Sequence, residues 1–155
     1  MTYGLPQRGD LIMALGSAAT QAAYRDELEQ MAAVMQREGI DVPGMVHDAA
    51  TRWLGRRNDF RLTDDEAAPS LVITIEHFGF VNAVVAGPKV PFLVLKARLF
   101  DASGKSLWSG QAVEQDPTVR GAGQRWSAYE AHPELLRQAW AQEIERMLRR
   151  LFPPD

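Results

Sequence analysis

Apolar residues recur at spacings of three and four in three parts of the chain, which predicts three amphipathic helices. The second helix is expected over residues 43–57, with Pro43 in its first turn, and the third should begin at Pro133 and end before Pro153. Gly39 stands where a left-handed C-cap would end the first helix. The apolar stripes are Tyr24, Leu28, Met31 and Met35 in the first helix, Val46, Ala50, Trp53 and Leu54 in the second, and Leu136, Trp140, Ile144, Met147, Leu148 and Leu151 in the third.

Between the second and third helices, alternation of apolar and polar residues predicts about four strands. They are expected at residues 60–62, 71–81, 92–100 and 107–114, the first of them as a short edge strand. Gly104 can adopt the positive φ of a tight turn, so the last two strands should form a hairpin. In the long strand that begins at Leu71, odd positions form the core row, and His77 has the same parity near its end. Glu76, on the other face, could pair with Lys96 or Arg98.

Helices with one apolar stripe and strands with one apolar face fit a two-layer α+β sandwich. In that arrangement the helices pack on one face of a mainly antiparallel sheet of about four strands. The length of 155 residues predicts a single domain over residues 1–155, with residues 1–10 as a flexible start. The apolar residues 11–15 fit either a strand or an extension of the first helix.

Composition narrows the classes of function. A formal charge of −3 argues against a general nucleic-acid binder, because such proteins need a basic excess to displace counterions from phosphates. The absence of cysteine rules out disulfides, thiolate metal sites and a cysteine nucleophile without fixing the compartment. No apolar run reaches the roughly 18 residues of a membrane helix. The polar start lacks the layout of a signal peptide, but it also fits a chain from which a signal or a lipid-anchor cysteine has been removed.

The order of these elements resembles a known family. Residues 49–54 and 59–62, followed by 69–75, are similar to a helix, short strand and long strand of bacterial envelope lipoproteins, and residues 95–108 resemble their hairpin with arginine-leucine, aspartate, glycine-lysine and tryptophan. The family is that of domains like the amino-terminal domain of TolB and the periplasmic domain of the curli-export lipoprotein CsgG. The resemblance covers residues 45–152. It implies a non-enzymatic, often oligomeric accessory protein in the periplasm. Members of the family are often attached to the outer membrane by a lipid on a cysteine, and this sequence contains no cysteine.

Candidate catalytic groups each have a simpler interpretation. His47 and Asp48 are adjacent on a helix and point about 100° apart, so we interpret them as helix surface. His77 fits a packing residue, and residues 64–66 lack the spacing and the glycine of a calcium loop. Residues 121–126 lack the third glycine of a dinucleotide loop. We therefore predict neither an enzyme nor a cofactor or metal site, although a hydrolase with dispersed residues near His77 or His132 remains an alternative.

Two segments carry more apolar or aromatic residues than ordinary connections. Residues 78–92 are strongly apolar, which fits either a strand extension against the chain's own helices or a partner interface. Residues 118–131 are rich in arginine and aromatic residues, the types that dominate interface hot spots. They fit either an intramolecular clasp, which holds this segment against the rest of the domain, or a binding surface for a partner. We predict an accessory domain that self-associates or binds a protein partner; the alternative is a carrier of a small hydrophobic ligand or lipid. The predicted contact residues are Phe78, Phe80, Val84, Val85, Arg120, Arg125, Trp126 and Tyr129.

Overall fold

A computed structural model describes residues 18–63, 65, 67–82, 87–113 and 123–153, with the backbone alone for residues 18–24 and 82. The predictions for residues 1–10 and 11–15 lie outside the described residues. Within them, the chain forms four helices and three strands. These are α1 (Ala18–Arg37), α2 (Val42–Gly55), β1 (Ser70–Asn82), β2 (Lys89–Phe100), β3 (Ser106–Ala112), α3 (Trp126–Ala131) and α4 (Pro133–Leu151).

The three predicted helices are confirmed. Gly39 ends α1 with a φ of 62°, and the following amide of Ile40 donates to the Met35 carbonyl at 2.8 Å. Pro43 lies in the first turn of α2, and Pro133 begins α4. The sequence pattern missed α3, because a helix of six residues is too short to show a period of 3.6.

The sheet is antiparallel in the order β1-β2-β3, so among the described residues it has three strands rather than about four. Residues 60–62, predicted as an edge strand, have no strand conformation. Phe60 instead packs edge-on against Phe152 just beyond α4, with ring centroids 6.0 Å apart. A tertiary aromatic contact therefore replaces the strand pairing that the short alternation suggested.

A bulge at Glu76 changes which residues of β1 face the helices. Ile75 pairs with Leu95, but the next pair joins His77 to Val94, so the alternation shifts by one residue. His77 consequently lies on the face away from the helices, and the prediction that it continues the core row is wrong. Phe78 and Phe80 take the inward positions, where both rings contact Trp140 of α4.

The helices lie on one face of the sheet, as predicted. The inward residues of β1 and β2 form one apolar cluster with residues of α1, α2 and α4. In this cluster α4 lies directly on β2 and β3, while α2 packs beside α4 and α3 joins α1 to α4. Trp140 and Ile144, which the predicted stripe placed in the core, are 0% and 1% exposed.

Candidate protein-contact surface

The described part of the apolar segment 78–92 faces the chain's own helices. Phe80 is 3% exposed, with its ring centroid 5.2 Å from that of Trp140 and 6.5 Å from that of Tyr129. Phe78 is half-buried against the same tryptophan at 5.9 Å. Val84 and Val85 lie outside the described residues. The strand-extension interpretation therefore accounts for Phe80, whose buried ring has no surface to offer a partner, and for the part of Phe78 that packs against Trp140.

The described part of the second segment acts as a clasp. Tyr129 is 0% exposed, and its hydroxyl donates to the Lys89 carbonyl at 3.1 Å and accepts from the Gln124 amide at 3.2 Å. Burial raises the pKa of Tyr129, so its hydroxyl, which is a protonated donor at neutral pH in any case, stays one to higher pH. Trp126 is half-buried and donates its indole N–H to Gln30 of α1 at 3.1 Å. These contacts correct the prediction for Tyr129, which is occupied within the chain.

The clasp ties the beginning of β2 to α1 and α3. Lys89 Nζ lies 2.5 Å from Glu27 Oε2, and the lysine side chain is almost fully buried. The amide of Lys89 also donates to the Gln124 carbonyl at 2.8 Å. Gly123 allows this approach, because a Cβ there would lie 2.4 Å from the Lys89 carbonyl oxygen. Arg125 is exposed beside the clasp, and Arg120 lies outside the described residues.

The strongest exposed apolar surface is found on β3, which the sequence prediction did not select. Among the described residues, the large apolar side chains that remain exposed are Leu62 (53%), Leu107 (53%) and Trp108 (40%). Two of these three are neighbours on β3, which forms one edge of the three-stranded sheet. The strand reads SLWSGQA and contains no charged residue. Edge strands usually carry charges or proline that discourage pairing with another chain, and β3 carries neither.

The Trp108 side chain packs on a phenylalanine of its own chain. Its ring stacks on Phe152 with centroids 5.8 Å apart and an interplanar angle of 29°, and Phe60 packs against the same phenylalanine. Arg57 lies over Phe60 at 5.7 Å and donates to the backbone carbonyls of Phe152 at 3.1 Å and Pro153 at 2.8 Å. The exposed indole is therefore held in one position, which lowers the entropy that a contact at this site must overcome.

The hairpin before β3 fixes where the strand begins. The carboxylate of Asp101 accepts from the amides of Ser103 and Lys105, both at 2.9 Å, and from the Ser103 hydroxyl at 2.6 Å. These hydrogen bonds, led by that of the Ser103 hydroxyl, lower the pKa of Asp101. Gly104 has a φ of 83°, as the hairpin prediction required. Leu107 is the extra residue in the pairing with β2, so residues 108–112 form the regular part of the strand.

The opposite edge of the sheet has a different character. β1 is interrupted at its middle by the bulge at Glu76. The Glu76 carboxylate lies 3.5 Å from Lys96 Nζ on β2 and accepts a hydrogen bond from the side-chain amide of Gln111 on β3 at 2.6 Å. The predicted pairing of Glu76 with Lys96 or Arg98 is thus resolved in favour of Lys96. β3 also has a bulge, at Leu107, so the difference between the two edges is the charge on β1, which discourages pairing with another chain.

An open groove of about 290 Å³ lies between α2 and α4. Its apolar floor includes Trp53 and Ile144, and its walls carry charged side chains of both signs. Arg149 lies over the Trp53 ring at 5.6 Å. The charged residues that line it are Asp48, Arg52, Arg56 and Glu145. An open groove with this lining differs from the enclosed apolar cavities that hold hydrophobic ligands.

The candidate catalytic groups are dispersed. His47 and Asp48 lie on the exposed surface of α2 with Nδ1 and Oδ1 3.3 Å apart, and His132 faces Glu134 at the same distance. Within the described ranges, no group of three or more histidine or acidic side chains is arranged to hold a metal ion. No described helix combines the length and apolar character that a bilayer crossing requires.

Comparisons of this chain with protein-family models, with curated proteins and with solved structures found no match. The resemblance to domains of the TolB and CsgG type therefore stays a prediction. What the structure defines is an α+β domain with a three-stranded antiparallel sheet, helices on one face, and one uncharged sheet edge that exposes two apolar side chains.

Proposed function

We propose that this chain is a non-enzymatic accessory or assembly domain that works through protein contacts, chiefly self-association, at the edge of β3. The observation that carries the proposal is the pair of exposed apolar side chains, Leu107 and Trp108, on an uncharged edge strand. An exposed apolar edge is a template for pairing with another strand, and proteins that stay monomeric usually block it. Phe80 and Tyr129, two of the contact residues that the sequence favoured, are buried, so the proposed contact does not use them.

Ligand carriage has weaker support. A carrier of a hydrophobic ligand would need an enclosed apolar cavity of several hundred cubic ångströms. The groove between α2 and α4 is open and has four charged residues in its lining. The side chains of α4 that face the sheet are closely packed, with Leu136, Trp140 and Met147 all at 0% exposure. Protein contact therefore explains more of the described surface than ligand binding does.

The cell envelope is part of the proposal because of the family resemblance carried by the hairpin, residues 95–108. Fractionation of cells that express the complete gene product with a carboxy-terminal tag would test it. We expect the protein in the periplasmic or outer-membrane fraction. Recovery with cytoplasmic markers would contradict the envelope assignment and leave the proposal of β3 contacts in place.

Self-association can be measured by light scattering coupled to size-exclusion chromatography. We expect the mean mass of the wild-type chain to rise toward that of a dimer as its concentration increases to about 1 mM, a range that detects even weak dimers. Leu107→Ser should weaken the association at least about tenfold, because it removes apolar surface from the contact. The matched control is Leu62→Ser, since Leu62 is equally exposed but lies outside the sheet. A wild-type chain that stays monomeric throughout this range would contradict the proposal.

A further inference from the structure

The edge of β3 is suited to one particular partner, a second copy of itself. We propose that β3 pairs antiparallel with β3 of a second copy, with Ser109 facing Ser109 across a two-fold axis, to give a continuous six-stranded sheet. This inference rests on the proposed function and specifies its contact. A two-fold axis perpendicular to a sheet places identical patches against each other, which is the commonest arrangement of homodimers.

The charge pattern permits self-pairing at β3 and opposes it at β1. Two-fold pairing brings each side chain close to the same residue type or to its near neighbours, and like charges that face each other across strands are destabilising. β3 has no charged side chain between Ser106 and Ala112, so no such repulsion arises within the paired strands. In a β1 pair whose axis lies at the middle of the strand, Glu76 would lie near Glu76 of the second copy, at the point where the bulge already interrupts the strand.

The position of Trp108 selects the register. Its indole lies over Gly110 of its own strand, since a Cβ at Gly110 would be 2.7 Å from ring atoms Cζ2 and Cη2. With Ser109 on the axis, Trp108 faces Gly110 of the second copy, over which the indole of that copy's own Trp108 lies. The two indoles then run antiparallel on neighbouring strands about 4.8 Å apart, a separation at which aromatic rings attract each other.

Neighbouring registers fit less well. With Trp108 on the axis, the two rings would point away from each other along the strands. With Gly110 on the axis, the pairing would extend to Ala112, which is 2% exposed and marks the buried end of β3. The Ser109 register pairs residues 108–110, all within the regular part of β3, and leaves the bulged Leu107 at the end of the contact, opposite Gln111 of the second copy.

Cysteine cross-linking tests the register without background, because the chain contains no cysteine. Ser109→Cys should form a disulfide-linked dimer on mild oxidation, since facing residues of antiparallel strands have Cα atoms about 4.5–5.5 Å apart, within disulfide range. Gln111→Cys is the matched control on the same strand: in this register it lies about 14 Å along the strands from its copy, too far to link. Ser127→Cys, exposed on α3, reports random collisions. We expect Ser109→Cys to link at least about tenfold faster than either control on non-reducing gels.

The possible results separate this inference from the broader proposal. Fast linking of Ser109→Cys alone supports the pairing and its register. If the wild-type chain self-associates but Gln111→Cys links as fast as Ser109→Cys, the Ser109 register is overturned. If neither variant links, the β3 pairing is overturned. Self-association stands in both cases. If the wild-type chain is monomeric by light scattering, both fall together.

Discussion

The two edge strands of the sheet differ in whether their large apolar side chains are buried or exposed. β1 carries the longer apolar run, yet its two phenylalanines point inward, where Phe78 and Phe80 contact Trp140 and Phe80 also lies against Tyr129. Its middle is interrupted by a bulge that carries Glu76. β3 is short and modestly apolar, but Leu107 and Trp108 remain exposed on it and no charge accompanies them.

The comparison shows that apolar density along the sequence is a poor guide to a contact surface. A bulge of one residue changes the face on which every later side chain of a strand lies. In β1 that shift places Phe80 in the core and Phe78 against it. What marks β3 is the combination of an edge position, exposure and missing charge, and only the last of these is readable from sequence.

The largest expected effect is at the buried side of β1. Phe80→Ala should lower the free energy of unfolding by about 3–5 kcal/mol, because it removes a ring that is 3% exposed and leaves a cavity beside Trp140. Urea unfolding followed by tryptophan fluorescence would measure the loss. Its counterpart on β3, Leu107→Ser, should change stability by less than about 0.5 kcal/mol, since that side chain is half exposed.

Association should show the reverse order. At concentrations where the Phe80→Ala chain is still folded, its dimerisation should match that of the wild type, whereas Leu107→Ser should dimerise weakly. If Phe80→Ala proved as stable as the wild type but failed to associate, the ring would be a contact residue rather than core, and the contrast between the two edges would be lost.

The next effect sharpens the comparison at the axis of β3. Ser109→Lys and Ser109→Glu should each weaken self-association at least about tenfold, because each places like charges opposite one another in the dimer. An equimolar mixture of the two variants should recover it, since lysine then faces glutamate. Light scattering of each variant and of the mixture would measure this, and Ser127→Lys with Ser127→Glu serves as the control pair.

Recovery only in the mixture would be specific to an axis at Ser109. Loss of association in both variants without recovery would mean that β3 is in contact but that residue 109 does not face itself. Unchanged association in all three samples would remove β3 from the interface.

Much of the fold could be predicted because its helices and strands are long enough to repeat their periods several times. The stripe of α4 covers five turns, and β1 and β2 each extend over 12 residues or more, so local exceptions do not hide their periods. Residues 60–62 and α3 failed for the opposite reason, since three residues of alternation or six of helix are decided by tertiary contacts. The position of Phe60 is set by its contact with Phe152, which lies 92 positions away in the sequence and which no local pattern indicates.

Less of the candidate site could be predicted. Trp126 and Tyr129 have the composition of an interface hot spot, but composition does not distinguish a clasp on the chain's own α1 from a surface for a partner. Leu107 and Trp108 were visible as parts of a returning strand, and the signal that could have singled them out was the absence of charge between Ser106 and Ala112. That β3 lies at an edge follows from the strand order, which only the structure supplies.

The smallest expected effect concerns acid and again separates the two edges. The pKa of Asp101 is lowered in the folded chain, so its carboxylate stabilises the hairpin at pH values above the unfolded pKa, and this contribution is lost as pH falls through about 4 and below. Asp101→Asn should therefore lower the thermal midpoint slightly at pH 7, and the difference from wild type should shrink toward pH 3.

Because Asp101 anchors the beginning of β3, amide exchange in wild-type β3 should rise at low pH more than exchange in β1. The control is Asp59→Asn, which removes another carboxyl whose pKa is lowered, here by the hydrogen bond with Arg57, and which should leave the response of β3 to acid unchanged. Equal acceleration in both edge strands would show that acid loosens the sheet as a whole rather than through the hairpin.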